Sequence, residues 1–593
     1  MACSDAERTD GREPEDAQAV QSALLAAQRS QLLASDRDSA DLFGFSSDID
    51  GDTAVIGALG KDGYTGAAYV FVRSGGTWTE QAKLSASDGA PGDYFGRSVS
   101  ISGDTVLIGA ESHAANGTDA GAAYVFVRSG TTWSQQAKLI GSDVGVSDFF
   151  GVAAALDGDT ALIGTSADDD SFTDAGAVYV FTRSGTTWTE QDKLVADDPT
   201  ATGYFGSSIA LSGSRALIGA PFTGTGKVYS FVRTGSAWTQ EDVLAADDGQ
   251  SDDYFGMSLA LAGDRALIGA PNDDDIAFNS GAAYVFARNG STWAQEAKLT
   301  SERTSSLSDF GAKVALAGSG NRAFVGASSD NDLGPDAGAV HSFLRAGTSW
   351  AEEELKLTAA EGSPGDLFGS SVTVSGSTLF VGAYFYDVLG FHEGTTYAYT
   401  FSDGGFRSIE TTVDSATVAL PEGCLPGDLL LAALEVVADP PDVTPPSGFT
   451  LVHDQSSSTS DGPVHAMVYT KVVGSSEPTE YTFDVPAGVW VDIHLACYSG
   501  VSSAVASAGA SAAGPSISAP SVTPSSPGGI LVTFFSGYSY GTWSTAAGLI
   551  QRSDVDSNSM QDQVITTAGA TGARTATNSG DPNGLAAVSV ILQ

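Results

Sequence analysis

The residues best suited to chemistry in this chain are aspartates that come in groups. Asp168, Asp169, Asp170 and Asp174 lie in one short stretch, Asp273, Asp274 and Asp275 in a second, and Asp330, Asp332 and Asp336 in a third. Carboxylates so spaced, with backbone carbonyls between them, are what a hard cation such as calcium requires. The candidate calcium ligands are Asp168, Asp170, Asp174, Asp273, Asp275, Asp330 and Asp332; the alternative is that these loops are simply acidic and solvated. A second group is aromatic. Tyr384, Phe385, Tyr386, Phe391 and His392 stand where related loops carry acids. Such side chains stack on a sugar or anchor a protein partner, or else pack against a neighbouring domain.

Nucleophilic chemistry finds less support. Cys497 lies near His494, but in an extended strand Val491, Ile493, Leu495 and Cys497 share one face while Asp492, His494 and Tyr498 share the other. A thiol on the face opposite its base is no nucleophile, so Cys497 is expected in the core. His113, His341 and His392 share no spacing that would build a triad. Tyr538, Tyr540 and Trp543 are either a sugar-stacking platform or core and hydrogen-bonding residues.

The elements that must position these groups recur. Phe followed by Gly appears at Phe43, Phe95, Phe150, Phe205, Phe255, Phe310 and Phe368, in steps of 50 to 58 residues. Self-similarity at that period denotes a repeat architecture. In the unit that begins at Phe95, Val99 and Ile101 alternate with serines in a strand, and Gly103 with Asp104 turns it. Thr105 to Ala110 is a second strand, Glu111 to Gly121 a polar loop, Ala122 to Arg128 a third strand and Trp133 to Ile140 a fourth. Four short antiparallel strands, repeated, make the blades of a β-propeller. Trp78, Trp133, Trp188, Trp238, Trp293 and Trp350 hold one place in six units and are expected to pack between adjacent sheets. Gly109 and its equivalents are expected to permit close backbone approach near the axis.

Phe205, Gly206, Gly219, Ala220 and Pro221, and again Phe255, Gly256, Gly269, Ala270 and Pro271, resemble the FG-GAP repeats of integrin α-subunit propellers and their bacterial relatives. The resemblance covers residues 28–404 and implies a seven-bladed extracellular propeller used for adhesion or ligand binding. Those propellers bind calcium in an Asp-rich loop between the first two strands of a blade. Here that connection has shrunk to a turn such as Gly103 and Asp104, so the family's ligands do not carry over. Gly75, Thr77 and Trp78 resemble the end of the Asp-box of sialidase propellers, but Arg73 and Phe71 stand where its Asp and Ser belong.

The seventh unit lacks the Trp strand. Leu32, Ala34, Ser35 and Asp36 repeat the pattern of Leu84, Ala86, Ser87 and Asp88, so residues 28–34 are expected to supply the missing outer strand. Residues 1–27 read as a polar N-terminal segment, part helical over Ala17 to Ala27. Cys3 and the polar stretch after it resemble the lipid-tethered start of a bacterial lipoprotein; the alternative is an incidental cysteine. From residue 405 to 593 the period stops. The near-continuous apolar run of Leu429, Leu430, Leu431 and Leu434 reads as a strand covered on both faces, with further strands at 464–473, 481–485, 491–498, 530–535 and 586–592. Ser499 to Gly529 reads as a Pro, Gly and Ser connection. The fold class is all-β: a seven-bladed propeller followed by a β-sandwich, with a jelly-roll-like winding as one form of it.

The formal net charge of -45 repels nucleic acid and anionic lipid. Three cysteines are too few for a disulfide framework, although Cys424 and Cys497 are free to pair. No apolar run is long enough for a transmembrane span. The expected function is an extracellular or cell-surface binding or adhesion protein whose long-loop face engages a protein or glycan. The alternatives are a secreted polysaccharide-acting hydrolase or lyase, and a structural surface-layer or matrix component. A scaffold spreads its acids round the ring, whereas an enzyme gathers them in one pocket; the spread of the aspartates favours the scaffold.

Overall fold

The computed structural model describes residues 29–592 apart from short stretches, the longest being 523–529, 538–549, 565–572 and 578–584. Cys3, the segment 17–27, Phe391, Tyr538, Tyr540 and Trp543 lie outside the described residues. The chain divides into two compact units, Ser30–Asp403 and the residues from Gly404 onward.

The first unit consists of seven four-stranded antiparallel sheets. Blade two shows the pattern: Phe95–Ser102, Thr105–Ala110, Ala122–Ser129 and Thr132–Leu139 pair in that order. The second strand, rich in Val, Leu and Ile, is buried over its whole length because blades cover both of its faces. Glycine is what lets neighbouring blades approach so closely. A Cβ on Gly57 of blade one would lie 2.2 Å from the Gly96 carbonyl oxygen of blade two. Gly96 itself has a φ of +93°, where a side chain would be strained.

A parallel bridge joins each sheet to the next, from Gly66 with Phe95 through to Gly394 with Phe43, which links the seventh sheet to the first. The outer strand of the seventh sheet is Arg29–Leu32, lying beside Thr395–Thr400. Leu32 and Ala34 are buried, and the Thr395 hydroxyl donates to the Leu32 carbonyl at 3.0 Å. Past the strand, the Ser35 N–H and hydroxyl donate to Glu80 of blade one at 2.7 and 2.8 Å.

The tryptophans pack between blades and are also bonded across them. Trp133 Nε1 donates to Gln81 of the preceding blade at 2.8 Å, and Trp188 Nε1 to Gln136 at 2.9 Å. On the tight-turn face Arg73, Arg128 and Arg183 meet Asp52, Asp104 and Asp159 of their own blades at 2.5–2.7 Å. Each guanidinium lies 5.2–5.3 Å from the tryptophan ring of its blade. Each also reaches back one blade, to Thr378, Thr53 and Thr105 respectively, at 2.7–3.1 Å.

The second unit is two copies of one design. In Gly405–Ser499 the seven strands pair so that the first lies beside the seventh, followed by the third, fifth and fourth, while the second and sixth form a separate ribbon. Strands from Ala504 to Leu592 repeat this order strand for strand. The two five-stranded sheets share one apolar core, which includes Leu429, Leu431 and Tyr498 from the first and Val532, Phe534 and Val590 from the second. The β-sandwich expected from sequence is thus a pair of related halves. Ser499 to Gly529, read as a connection, contains the strands Ala504–Ala512 and Ser516–Ala519, whose small residues carry little β propensity. Cys424 and Cys497 form a disulfide.

Candidate functional site: the long-loop face of the propeller

The connections between the second and third strands and those between blades emerge on one face of the propeller unit. Backbone bonds tie the two kinds together: the Ser147 N–H donates to the Thr118 carbonyl at 2.9 Å and the Leu307 N–H to the Phe278 carbonyl at 3.0 Å. The grouped aspartates lie here, and each group closes on a lysine, Lys193 and Lys298 from the fourth strands of their blades and Lys356 from just past the fourth strand of blade six. In blade three, Lys193 Nζ is 2.8 Å from Asp168, 2.6 Å from Asp170 and 3.0 Å from Asp143 of the loop between blades. In blade five, Lys298 Nζ is 2.8 Å from Asp273, 2.5 Å from Asp275 and 2.9 Å from Asp248. In blade six, Lys356 Nζ is 2.7 Å from Asp330 and 2.6 Å from Asp332. A third-strand tyrosine completes two of these clusters: Tyr284 donates to Asp248 and Asp273 at 2.9 and 2.8 Å, and Tyr179 to Asp143.

Burial opposes the charge on Lys193 and Lys298, but the hydrogen bonds they donate to their aspartates outweigh it and raise both ammonium pKa values. Burial also pushes the Asp248 carboxyl up, and the bonds from Lys298 and Tyr284 more than reverse this, leaving it below the usual range. Calcium takes six to eight oxygen ligands at about 2.3–2.6 Å. Here an ammonium sits among the carboxylates and supplies positive charge itself. Asp174 stands outside its cluster; its N–H donates to Asp169 at 2.7 Å, and its φ is 52°. Among the described residues no group of three or more His, Cys, Asp or Glu is arranged to hold a metal.

The repeat had a signal for these lysines that sequence reading passed over. Lys83, Lys138, Lys193, Lys298 and Lys356 hold equivalent places, and where blade four has Val243 instead, its loop has Thr223 in place of Asp168 or Asp273. Blade two varies the theme, with His113 bonded to Asp93 at 2.7 Å and to Lys138 at 2.6 Å.

Two blades break the symmetry with aromatic rings. In blade seven Tyr384 stacks on Phe45 of blade one at 5.2 Å and on Phe385 at 4.6 Å, and Phe385 meets His392 at 4.3 Å. The Arg97 guanidinium of blade two lies 5.1 Å from the other partner in this row, the Phe45 ring. Tyr386 points elsewhere, toward Tyr397 at 6.4 Å. The four ligand-binding candidates are therefore split: Tyr384, Phe385 and His392 form one row and Tyr386 does not join it. In blade four the short loop lifts an exposed Phe222 between Tyr204 and Tyr254, at 5.2 and 4.8 Å. Exposed apolar side chains gather on this face, among them Tyr64, Phe172, Phe222, Ile276, Phe278 and Leu333.

In the second unit Cys497 is held in the disulfide, and His494 is buried on the opposite face, 5.4 Å from Phe534 in the core between the two sheets. The supposed thiol–imidazole pair does not exist. No helix among the described residues is long and apolar enough to cross a membrane.

The sequence pattern of the FG-GAP repeat matches the chain seven times, at residues 27–71, 78–126, 133–181, 188–231, 238–286, 293–343 and 350–399. Together these segments make up more than half of the chain. No curated protein matches it.

Proposed function

The chain belongs to the FG-GAP repeat family, and we propose that it is an extracellular or surface-tethered adhesion protein whose integrin-like propeller holds a protein partner on its long-loop face. The observation that carries this is the distribution of exposed apolar side chains. Phe172, Ile276, Phe278 and Leu333 stand out from loops in which a lysine gathers the inner aspartates, and Phe222 from the short loop of blade four. Large apolar and aromatic side chains exposed together on one face mark interaction sites. Ile276 and Leu333 offer no face for a sugar to stack on, which favours protein over glycan. The hydrolase or lyase alternative has no convergent acid, base or metal cluster among the described residues to support it.

The test is capture from the extracellular fraction of the source organism on immobilised full-length chain. Phe222→Ser with Phe278→Ser is expected to lose the captured protein, and Asp52→Asn with Asp104→Asn on the tight-turn face to keep it. Equal capture by both variants, or capture of polysaccharide alone, would overturn the proposal. Tethering, if by lipid, would use Cys3.

A further inference from the structure

One place in the long loop, three residues past the end of the second strand, carries a different side chain from blade to blade. It holds Lys61, His113, Asp168, Thr223, Asp273, Asp330 and Tyr386 in turn. Of these types only histidine ordinarily changes charge near neutral pH. His113 is buried, and both of its ring nitrogens are engaged. Nδ1 lies 2.7 Å from Asp93, in the loop between blades one and two, and Nε2 lies 2.6 Å from Lys138 Nζ on the fourth strand. An ammonium has only donors to offer, so Nε2 must accept from it. The ring is then neutral, and its one proton sits on Nδ1, where it donates to the Asp93 carboxylate.

The titratable and charged groups around the ring come from four elements. Asp93 and Asp88 belong to the loop between blades, Lys138 to the fourth strand and Tyr124 to the third, while Glu111, in the long loop itself, is paired with Arg97 of the first strand at 2.9 Å. Tyr124 meets the imidazole edge-on at 6.0 Å and donates to Asp88 at 2.9 Å; Lys138 is 2.7 Å from Asp88. Asp88 also lies 3.7 Å from His113 Nε2. Burial pushes the Asp88 carboxyl up, but the bonds from Lys138 and Tyr124 more than reverse this, so it stays ionised. A second proton on the ring would set an Nε2–H against the ammonium, which repels it, and would aim a donor at Asp88, which attracts it. The ring cannot hold that proton and Lys138 together. In blades three, five and six the same place bonds its lysine through Asp168, Asp273 and Asp330. A carboxylate–ammonium pair persists throughout the range in which histidine titrates.

We propose that His113 is a proton-operated latch: neutral, it accepts from Lys138 and ties the long loop of blade two to its fourth strand; protonated, it lets Lys138 go and turns Nε2–H toward Asp88. The latch is independent of whether the loops hold a protein partner. The test is nitrogen-15 NMR of the full chain, labelled at histidine, between pH 8 and pH 5. His113→Asp, the residue of blades three, five and six at that place, identifies the His113 signals among those of the six histidines. At pH 8 the ring is expected to be neutral with its proton on Nδ1, and toward pH 5 to become imidazolium. Lys138→Met is expected to raise the pH of that transition by about one unit, because the imidazolium no longer faces an ammonium. Hydrogen exchange reads the loop. The Gly121 N–H donates to the His113 carbonyl at 2.8 Å, as the Gly176 N–H does to that of Asp168 at 3.0 Å. After correction for the intrinsic effect of pH, exchange at Gly121 is expected to quicken about fivefold relative to Gly176 as the ring is protonated. A neutral ring protonated on Nε2 at pH 8, a ring with one charge state from pH 8 to pH 5, or a transition unmoved by Lys138→Met would overturn the latch. So would exchange at Gly121 that stays in step with Gly176.

Discussion

At the residue scale, the acidic loops are organised by lysine. Asp168 is 3 % exposed and Lys193 18 %, so removing the ammonium leaves carboxylates facing one another in partly buried surroundings. Lys193→Met is therefore expected to destabilise the propeller by about 2 kcal/mol, below the full cost of a broken buried pair because water reaches the site. Adding Asp168→Asn should recover much of that loss. Denaturant titration of the single and double variants measures both, and strict additivity would mean that the two residues are not coupled. His494 gives a second prediction. Burial lowers its pKa from 6.5 to about 3, so the folded state resists the proton that the unfolded chain accepts. Stability from this group is present above pH 6.5 and is lost as pH falls toward 3. Between pH 7 and 4 the second unit should lose about 3 kcal/mol from this source. His494→Phe should flatten that dependence, and a profile as steep as the wild type's would assign it to other groups.

At the scale of elements, the blade was legible because each of its parts has a local sequence cause. Phe and Gly start a strand, Gly and Asp turn it, a β-branched run fills the middle and Trp marks the outer strand. The contacts that cross from blade to blade were not legible. Arg128 reaching Thr53, and Lys193 reaching Asp143, join residues 75 and 50 positions apart, a separation that no local pattern encodes. The duplicated second unit did leave a trace, in Pro426-Gly427-Asp428-Leu429-Leu430-Leu431 and Pro527-Gly528-Gly529-Ile530-Leu531-Val532, but its Ala- and Ser-rich strands concealed the rest. The outer strand Arg29–Leu32 leads to the prediction that belongs here. Its removal exposes the edge of Thr395–Thr400 and deletes the buried Leu32 and Ala34. A few ladder bonds at about 1 kcal/mol each and the leucine at about 2 make the loss several kcal/mol. A chain lacking residues 1–34 should melt well below the full chain; an unchanged propeller transition would contradict that role.

At the scale of the whole molecule, the propeller divides its labour between two faces. Tight turns, arginine clasps and stacked tryptophans occupy one, and they join blade to blade. Long loops occupy the other, where the internal Asp–Lys–Tyr clusters hold the loops in place and leave Phe222, Phe278 and Leu333 outward. Asp168, Asp170, Asp273, Asp275, Asp330 and Asp332 are paired with lysine, and the exposed apolar residues are the ones with no role in the blade pattern. The most direct measurement is hydrogen–deuterium exchange of the full chain with and without its captured partner. Protection is expected at residues 166–176, 221–226, 271–281 and 328–338, with no change in the turns at Gly51, Gly103 and Gly158. Protection of those turns, or of the outer strands alone, would contradict the assignment of the long-loop face as the binding face.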